Sequence, residues 1–256
     1  MKKNDYPILE FDNDKDAFIN PTIVLKTVKD IKHIPNKLVI CFFHETINRL
    51  IEEETLTPFV TIKGENSYTF YQFKNEDVLV VPGYIGAPLC GGILDEAIAF
   101  GVDKVMFCGG AGSLVQDITL GKLVVIDQAI RDEGMSYHYK APSREVTANS
   151  RVQGIIREHL DSIKADYVVG KTWTTDAFYR ETRERIQRRR AEGAILVEME
   201  QSALMAISEF RQIDYGAIIY GGDDLSTDTW DNRKWHSRHD VRENLLYLCK
   251  DIVKKL

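Results

Sequence analysis

Two adjacent carboxylates, Asp223 and Asp224, follow an apolar run and the pair Gly221-Gly222. Partial burial and like charge at such a corner both raise proton affinity, which suits a general acid near neutral pH, and Asp223 is the preferred candidate. Capping of the next turn through Ser226 or Thr227 is the competing use of the same side chains. Glu200 opens an amphipathic run, where a carboxylate either complements the helix macrodipole or offers a charged acceptor to ligand hydroxyls. Phe178 and Tyr179 share a helical pattern with Ile186, so they either pack the core or stack on a planar ring. Arg131 and Glu133 lie just after a strand pattern and suit a buried supporting pair or an exposed one.

The segment Val105-Met-Phe-Cys-Gly-Gly-Ala-Gly-Ser-Leu114 reads as a buried strand entering a loop of Gly109, Gly110 and Gly112. Such a loop either lets backbone N–H groups approach a ligand closely or is a purely structural turn. A dinucleotide-binding turn would run Gly-x-Gly-x-x-Gly into a helix; Val115 takes the third position here and Asp117-Ile-Thr-Leu-Gly121 follows, so that use is excluded. Cys41, Cys90, Cys108 and Cys249 form no Cys-x-x-Cys pair and read as buried free thiols. Neither a metal nor an organic cofactor is indicated.

The elements that must position these groups alternate between short runs rich in β-branched residues and longer amphipathic ones. Strands are expected over residues 37–43, 59–62, 68–73, 78–81, 104–108, 122–130, 166–170, 194–197 and 217–220, and helices over 44–54, 87–100, 148–163, 176–192, 200–211 and 237–255. Gly101 closes the second helix as a C-terminal glycine should. The class is α/β: one domain over 21–256, a central mixed sheet flanked by helices in three layers, preceded by an acidic arm over 1–20. Arginines 180, 183, 185 and 188–190 alternate with Glu181, Glu184 and Glu192, which reads as a solvated helix face stitched by opposite charges. Trp230 and Trp235 are expected to pack against the last helix rather than to cover a ligand.

With 256 residues, 44% of them hydrophobic, the chain can bury one sizeable core, which excludes a disordered polymer. A net charge of −6 with no basic block excludes a duplex-binding stripe, so no nucleic-acid partner is expected. The uncharged stretch 78–94 is broken by Pro82, Gly83, Gly86, Pro88, Gly91 and Gly92, so it is not a membrane span. The start Met1-Lys2-Lys3 leads into acidic residues rather than an apolar leader, and a cytoplasmic location is expected.

Six separated segments resemble, in order, the nucleoside phosphorylase family 1 proteins: Gly83-Tyr-Ile-Gly-Ala-Pro88, Phe107-Cys-Gly-Gly-Ala-Gly-Ser-Leu114, Ala129-Ile-Arg-Asp-Glu-Gly-Met-Ser136, Thr174-Thr-Asp-Ala-Phe-Tyr179, Val197-Glu-Met-Glu200 and Gly221-Gly-Asp-Asp224. The resemblance implies cleavage of the bond between ribose C1′ and a base, usually by phosphate and in some branches by water. It implies that Glu200 binds ribose hydroxyls with Met199 beneath the sugar and Ile85 beside it. Phe178, Gly112 and Asp223 would hold the base, with Asp223 bonding or protonating a purine ring. Purine salvage and a homo-oligomer, dimer or hexamer, are implied as well, with a nucleoside and phosphate as partners and no cofactor beyond phosphate as co-substrate. Glu200 and Asp223 are thus the expected catalytic pair, since the reaction leaves positive charge on the sugar and negative charge on the base.

The chain departs from the family at the nucleophile. An arginine usually precedes the glycine loop and another lies in a Pro-Gly-Asp-Pro segment near the first strand; Phe107 and Cys41-Phe-Phe-His-Glu-Thr-Ile-Asn-Arg49 stand there instead. Gly110 replaces a phosphate-touching hydroxyl residue, and Asp5-Tyr-Pro-Ile-Leu-Glu10 has no counterpart of the histidine that many members lend to a neighbouring subunit. Phosphate is therefore expected at His44, Arg49, Arg131 and the N–H groups of Gly109 and Gly110. The alternatives are a hydrolase with Glu45 as general base, where Glu45 could equally be an ordinary first-turn glutamate, and a noncatalytic nucleoside-binding protein. The uridine-type Gln-x-Arg after the Phe-Tyr pair is missing, which favours purine.

Overall fold

The run Lys37-Leu-Val-Ile-Cys41 forms the strand on which the sheet is built, because alternate apolar side chains can serve two helical layers at once. In the computed structural model, which describes residues 3–256 and His236 by its backbone alone, the chain runs α1 (Leu25–Val28), β1 (Lys37–Cys41), α2 (His44–Glu52), β2 (Leu56–Ile62), β3 (Tyr68–Phe73), β4 (Leu79–Pro82) and α3 (Ala87–Ala99). It continues through β5 (Lys104–Ser113), β6 (Leu123–Asp132), β7 (Glu145–Thr147), α4 (Ser150–Ser162), β8 (Tyr167–Thr175) and α5 (Arg183–Ala191). The last elements are β9 (Ala194–Glu198), α6 (Gln201–Arg211), β10 (Asp214–Asp224) and α7 (His239–Val253).

The strands make one mixed sheet in the order β10-β6-β8-β9-β5-β1-β4-β3-β2, with β7 on β6. β10 also pairs with β5 in parallel, so β5, β9, β8, β6 and β10 close into a ring, and β1, β4, β3 and β2 extend from it. On one side of β1, Leu38 and Ile40 join Leu94 of α3 and Leu204 and Ile207 of α6. On the other, Val39 and Cys41 join Ile47 of α2, Ile156 of α4 and Leu246 and Cys249 of α7. These alternating faces realise the expected layered α/β domain, and all four cysteines are buried and free. Among the described residues no helix is long and apolar enough to cross a membrane.

Three expectations need correction. The glycine segment is not a loop: β5 continues to Ser113, held by β10 from Lys104 to Ala111 and by β9 at Gly112 and Ser113. Its glycines serve close packing, since a Cβ on Gly112 would lie 2.6 Å from Leu225 Cδ1 and one on Gly110 would lie 3.1 Å from the Tyr220 ring. The helix expected over 176–192 begins only at Arg183, where the Thr182 side chain accepts from the Arg185 N–H; before it, Phe178–Arg180 form a single 3-10 turn after β8. The short strand β7 lies where no strand was expected, because three residues carry too little periodicity to be read.

Candidate active site

Six chain segments meet at one opening, most of them strand ends, the usual place for a ligand in α/β proteins. Phe42 to His44 leave β1, Gly83 to Ile85 leave β4, Gly110 to Gly112 end β5, Val197 to Glu200 end β9, Phe178 to Glu181 follow β8, and Asp223 ends β10; together they line a cavity of about 900 Å³. That volume suits a small molecule of nucleoside size.

The floor is a turn held by a buried carboxylate. Glu198 accepts from Thr174 Oγ1 at 2.6 Å and Thr172 Oγ1 at 3.2 Å, and from the backbone N–H groups of Glu200 at 2.7 Å and Gln201 at 2.6 Å. These bonds anchor Glu200 at the mouth of α6. Glu200 is only 4% exposed, and its carboxylate accepts from the Gly86 N–H at 2.7 Å. Gly86 sits at φ 106°, a left-handed conformation that glycine adopts without strain, which turns its N–H toward Glu200. Burial, and then the charge of Glu198, push the Glu200 carboxyl well above the ordinary carboxylate range. Met199 and Ile85 line the same region, Ile85 at the rim with 72% exposure.

At one end of the cavity stands Asp223, whose Oδ2 accepts from the Trp230 Nε1–H at 2.7 Å. Asp224 turns away: it accepts from the Ser226 N–H at 2.8 Å and pairs with Arg233 at 2.5 Å, which together hold its carboxyl below the ordinary range despite burial. Asp224 thus departs from the raised proton affinity expected at this corner, and capping is the use made of Asp224 alone. Phe178 lies against Tyr179 with ring centroids 4.0 Å apart and faces the cavity rather than the core. Glu181, which sequence reasoning placed on a solvated helix face, also lines this end. Trp230 is 64% exposed at the mouth, contrary to its expected packing, whereas Trp235 lies beside α7 with Arg242 5.1 Å from its ring.

The other end is bounded by Phe42, Phe43, His44, Tyr84, Gly110 and Arg242. His44 Nε2 bonds the Gly83 carbonyl at 2.6 Å, and its ring meets Tyr84 edge-on at 5.5 Å. Arg242, from α7, is 5% exposed; its Nε donates to Tyr220 Oη at 3.1 Å and its guanidinium pairs with Glu45. Arg242 is the one arginine or lysine lining the cavity among the described residues.

Of the expected phosphate ligands, His44 and Gly110 line the cavity and Arg49, Arg131 and Gly109 do not. Arg49 lies on the outer face of α2, paired with Glu53 at 2.7 Å and Glu243 at 2.5 Å. Arg131 is spent on Ser136 at 2.9 Å, Ser143 at 2.7 Å and the carbonyls of Ala141 and Lys140. Glu133 instead accepts from the Ser202 hydroxyl at 2.8 Å, so the two form no ion pair with each other. Gly109 lies within the β5 ladder opposite Ile219, and an extended strand makes no anion nest. Glu45 does not line the cavity, because Arg242 holds its carboxylate. Arg242 carried no local signal, since only packing of α7 brings it to the site. Glu181 was discoverable through Thr182, whose N-cap chemistry would have started the helix one residue later.

Residues 37–254 match the family described as the phosphorylase superfamily. The guanosine phosphorylase of Halorubrum lacusprofundi is 25% identical over 150 residues, 57% of this chain and 61% of its own length, so the match spans less than two thirds of that relative. The crystal structure of uridine phosphorylase from Vibrio fischeri superposes with a TM-score of 0.71 at 20% identity, covering 88% of this chain and 94% of that one. That of AMP nucleosidase from Bacteroides thetaiotaomicron superposes with a TM-score of 0.68 at 19% identity, covering 87% and 90%. Both are likenesses of fold.

Proposed function

The chain belongs to the phosphorylase superfamily, whose members are enzymes, and on that premise we propose that it cleaves the N-glycosidic bond of a nucleoside, a purine nucleoside, with phosphate as nucleophile. The carrying observation is that Glu200 and Asp223 line one cavity of about 900 Å³ from two different strand ends. Glu200, ionised, accepts from ribose hydroxyls and places negative charge beside the sugar as positive charge develops at C1′. Met199 and Ile85 flank the sugar, and Phe178 and Gly112 border the base. The C1′–N9 electron pair passes to the base, and Asp223 donates or shares the proton that neutralises it. Phosphate oxygen then closes the bond to C1′ from the end bounded by His44, Gly110 and Arg242.

A hydrolytic reading has its own support, because Glu45 pairs with Arg242, the one arginine or lysine lining that end among the described residues, and weakens it as a phosphate clamp. In that case water replaces phosphate at C1′. The reading as a whole includes cytoplasmic purine salvage, no cofactor beyond phosphate, and a homo-oligomer that would cover Ile85 and Tyr179, which stand exposed at the cavity rim. The test is incubation with a panel of nucleosides, with and without phosphate, and separation of ribose 1-phosphate from ribose. Ribose 1-phosphate formed only with phosphate is the expected result, free ribose without phosphate means hydrolysis, and no product in either condition leaves a binding protein.

A further inference from the structure

Four of the twelve large apolar side chains that stand exposed among the described residues crowd into residues 18–25: Phe18, Ile19, Ile23 and Leu25. Apolar groups gathered in water cost free energy that burial against a partner recovers. The segment that carries them is fixed rather than free. Val24 and Val28 are buried in the core, the Asn20 side chain accepts from the Thr22 N–H, and the Lys15 carbonyl accepts from Arg211 at 3.2 Å. Little conformational freedom is therefore left to lose on association. The segment also precedes residue 37, so it lies outside the residues that match the superfamily.

The charges on either side of the apolar residues are ordered. Before them, Asp12, Asp14 and Asp16 outnumber Lys15 by two; after them, Lys26, Lys29 and Lys32 outnumber Asp30 by two. All eight are exposed, and none forms an ion pair among the described residues. We infer that residues 12–32 form a contact between two copies of this chain, related by a two-fold axis near Pro21, with the acidic stretch of each copy on the basic stretch of the other. The order acidic, apolar, basic is reversed in a copy turned by half a revolution, so both charged stretches are matched at once and the apolar residues meet between them. A membrane or a nucleic acid is matched by the basic half alone and repelled by the acidic half. Sixteen of the 21 residues are exposed, fewer than the roughly 20–30 a side of a standard interface, so the dimer forms with a dissociation constant on the order of 1–100 µM. This contact is separate from the one over Ile85 and Tyr179 and does not depend on the reaction.

The test is sedimentation velocity on the full chain over a concentration series. Wild type should double its mass between about 1 and 100 µM, and the double variant Phe18→Asp, Ile19→Asp should keep the lower mass throughout. Asp14→Lys with Asp16→Lys makes both stretches basic, and Lys26→Glu with Lys29→Glu makes both acidic. Alone, each pair should raise the dissociation constant by about tenfold or more. Mixed in equal amounts, the two should regain the association of wild type, which also shows that both fold. A wild type with the mass of the Phe18→Asp, Ile19→Asp variant at every concentration would overturn the inference, as would charge variants that associate like wild type or a mixture no tighter than its parts. Binding of wild type to phosphatidylserine vesicles, lost in Lys26→Glu with Lys29→Glu, would assign the patch to a lipid surface and overturn it too.

Discussion

The Arg242 guanidinium and the Glu45 carboxylate form an ion pair across 197 residues, joining α7 to the first turn of α2 at the wall of the cavity. One charge faces the ligand space and its partner stands behind it. The pair therefore sets how much positive potential that end of the cavity offers an anion.

Removing the partner charge should release that potential. Glu45→Gln is expected to lower the KM for phosphate by about fivefold, and Arg242→Met to raise it by tenfold or more, on the scale of one charge-assisted contact. Initial rates against phosphate concentration check both. Were Glu45 the base of a hydrolase, Glu45→Gln would instead abolish release of base without phosphate.

Glu200 links activity to pH and stability in opposite senses. Below the ordinary carboxylate range both folded and unfolded chains hold the proton. Between that range and the raised native value only the folded chain keeps it, so the stability conferred by this group is present on the acid side and lost as pH rises. Activity, which needs the anion, should rise through the same window. Glu200→Gln is expected to cut kcat/KM by roughly 100-fold or more, and to melt higher than wild type at pH 8 but not at pH 5. Thermal melts across that range decide it.

The Trp230–Asp223 bond separates orientation from proton transfer. Trp230→Phe keeps a ring at the mouth but removes the donor held at 2.7 Å, and should lower kcat/KM about threefold to tenfold. Asp223→Asn should cost about 100-fold, with the loss in kcat rather than KM, since a general acid acts in the transition state. Steady-state kinetics on both variants distinguish the roles.

Gly112→Ala tests the close packing beside the Asp223 corner. The new methyl would lie 2.6 Å from Leu225 Cδ1, 3.0 Å from Val197 Cγ1 and 3.4 Å from Asp223 Oδ1. Overpacking of this kind costs about 1–3 kcal/mol. Denaturant unfolding should register the cost, and nucleoside affinity should fall as the Asp223 corner shifts.

Six of the expected helices and nine of the expected strands correspond to observed elements, and the failures have particular causes. Glycine has no intrinsic strand preference, so the sequence of Gly109 to Ser113 suggests a loop, yet pairing with β10 and β9 keeps these residues extended. The charges of residues 176–192 alternate at helical spacing and suggest one helix, a pattern that says nothing of where the Thr182 cap begins it.

The amino-acid order alone pointed to the alternating strands and helices, the buried thiols, and Glu200 and Asp223 as the candidate acids, because each is written in periodicity or in a short contiguous motif. Tertiary structure decided which cation reaches the cavity, why Asp224 is spent on Arg233, and that Glu181 faces inward. Those outcomes depend on residues far apart in the chain competing for the same partner, and proximity of that kind exists only after the sheet and its helices have packed.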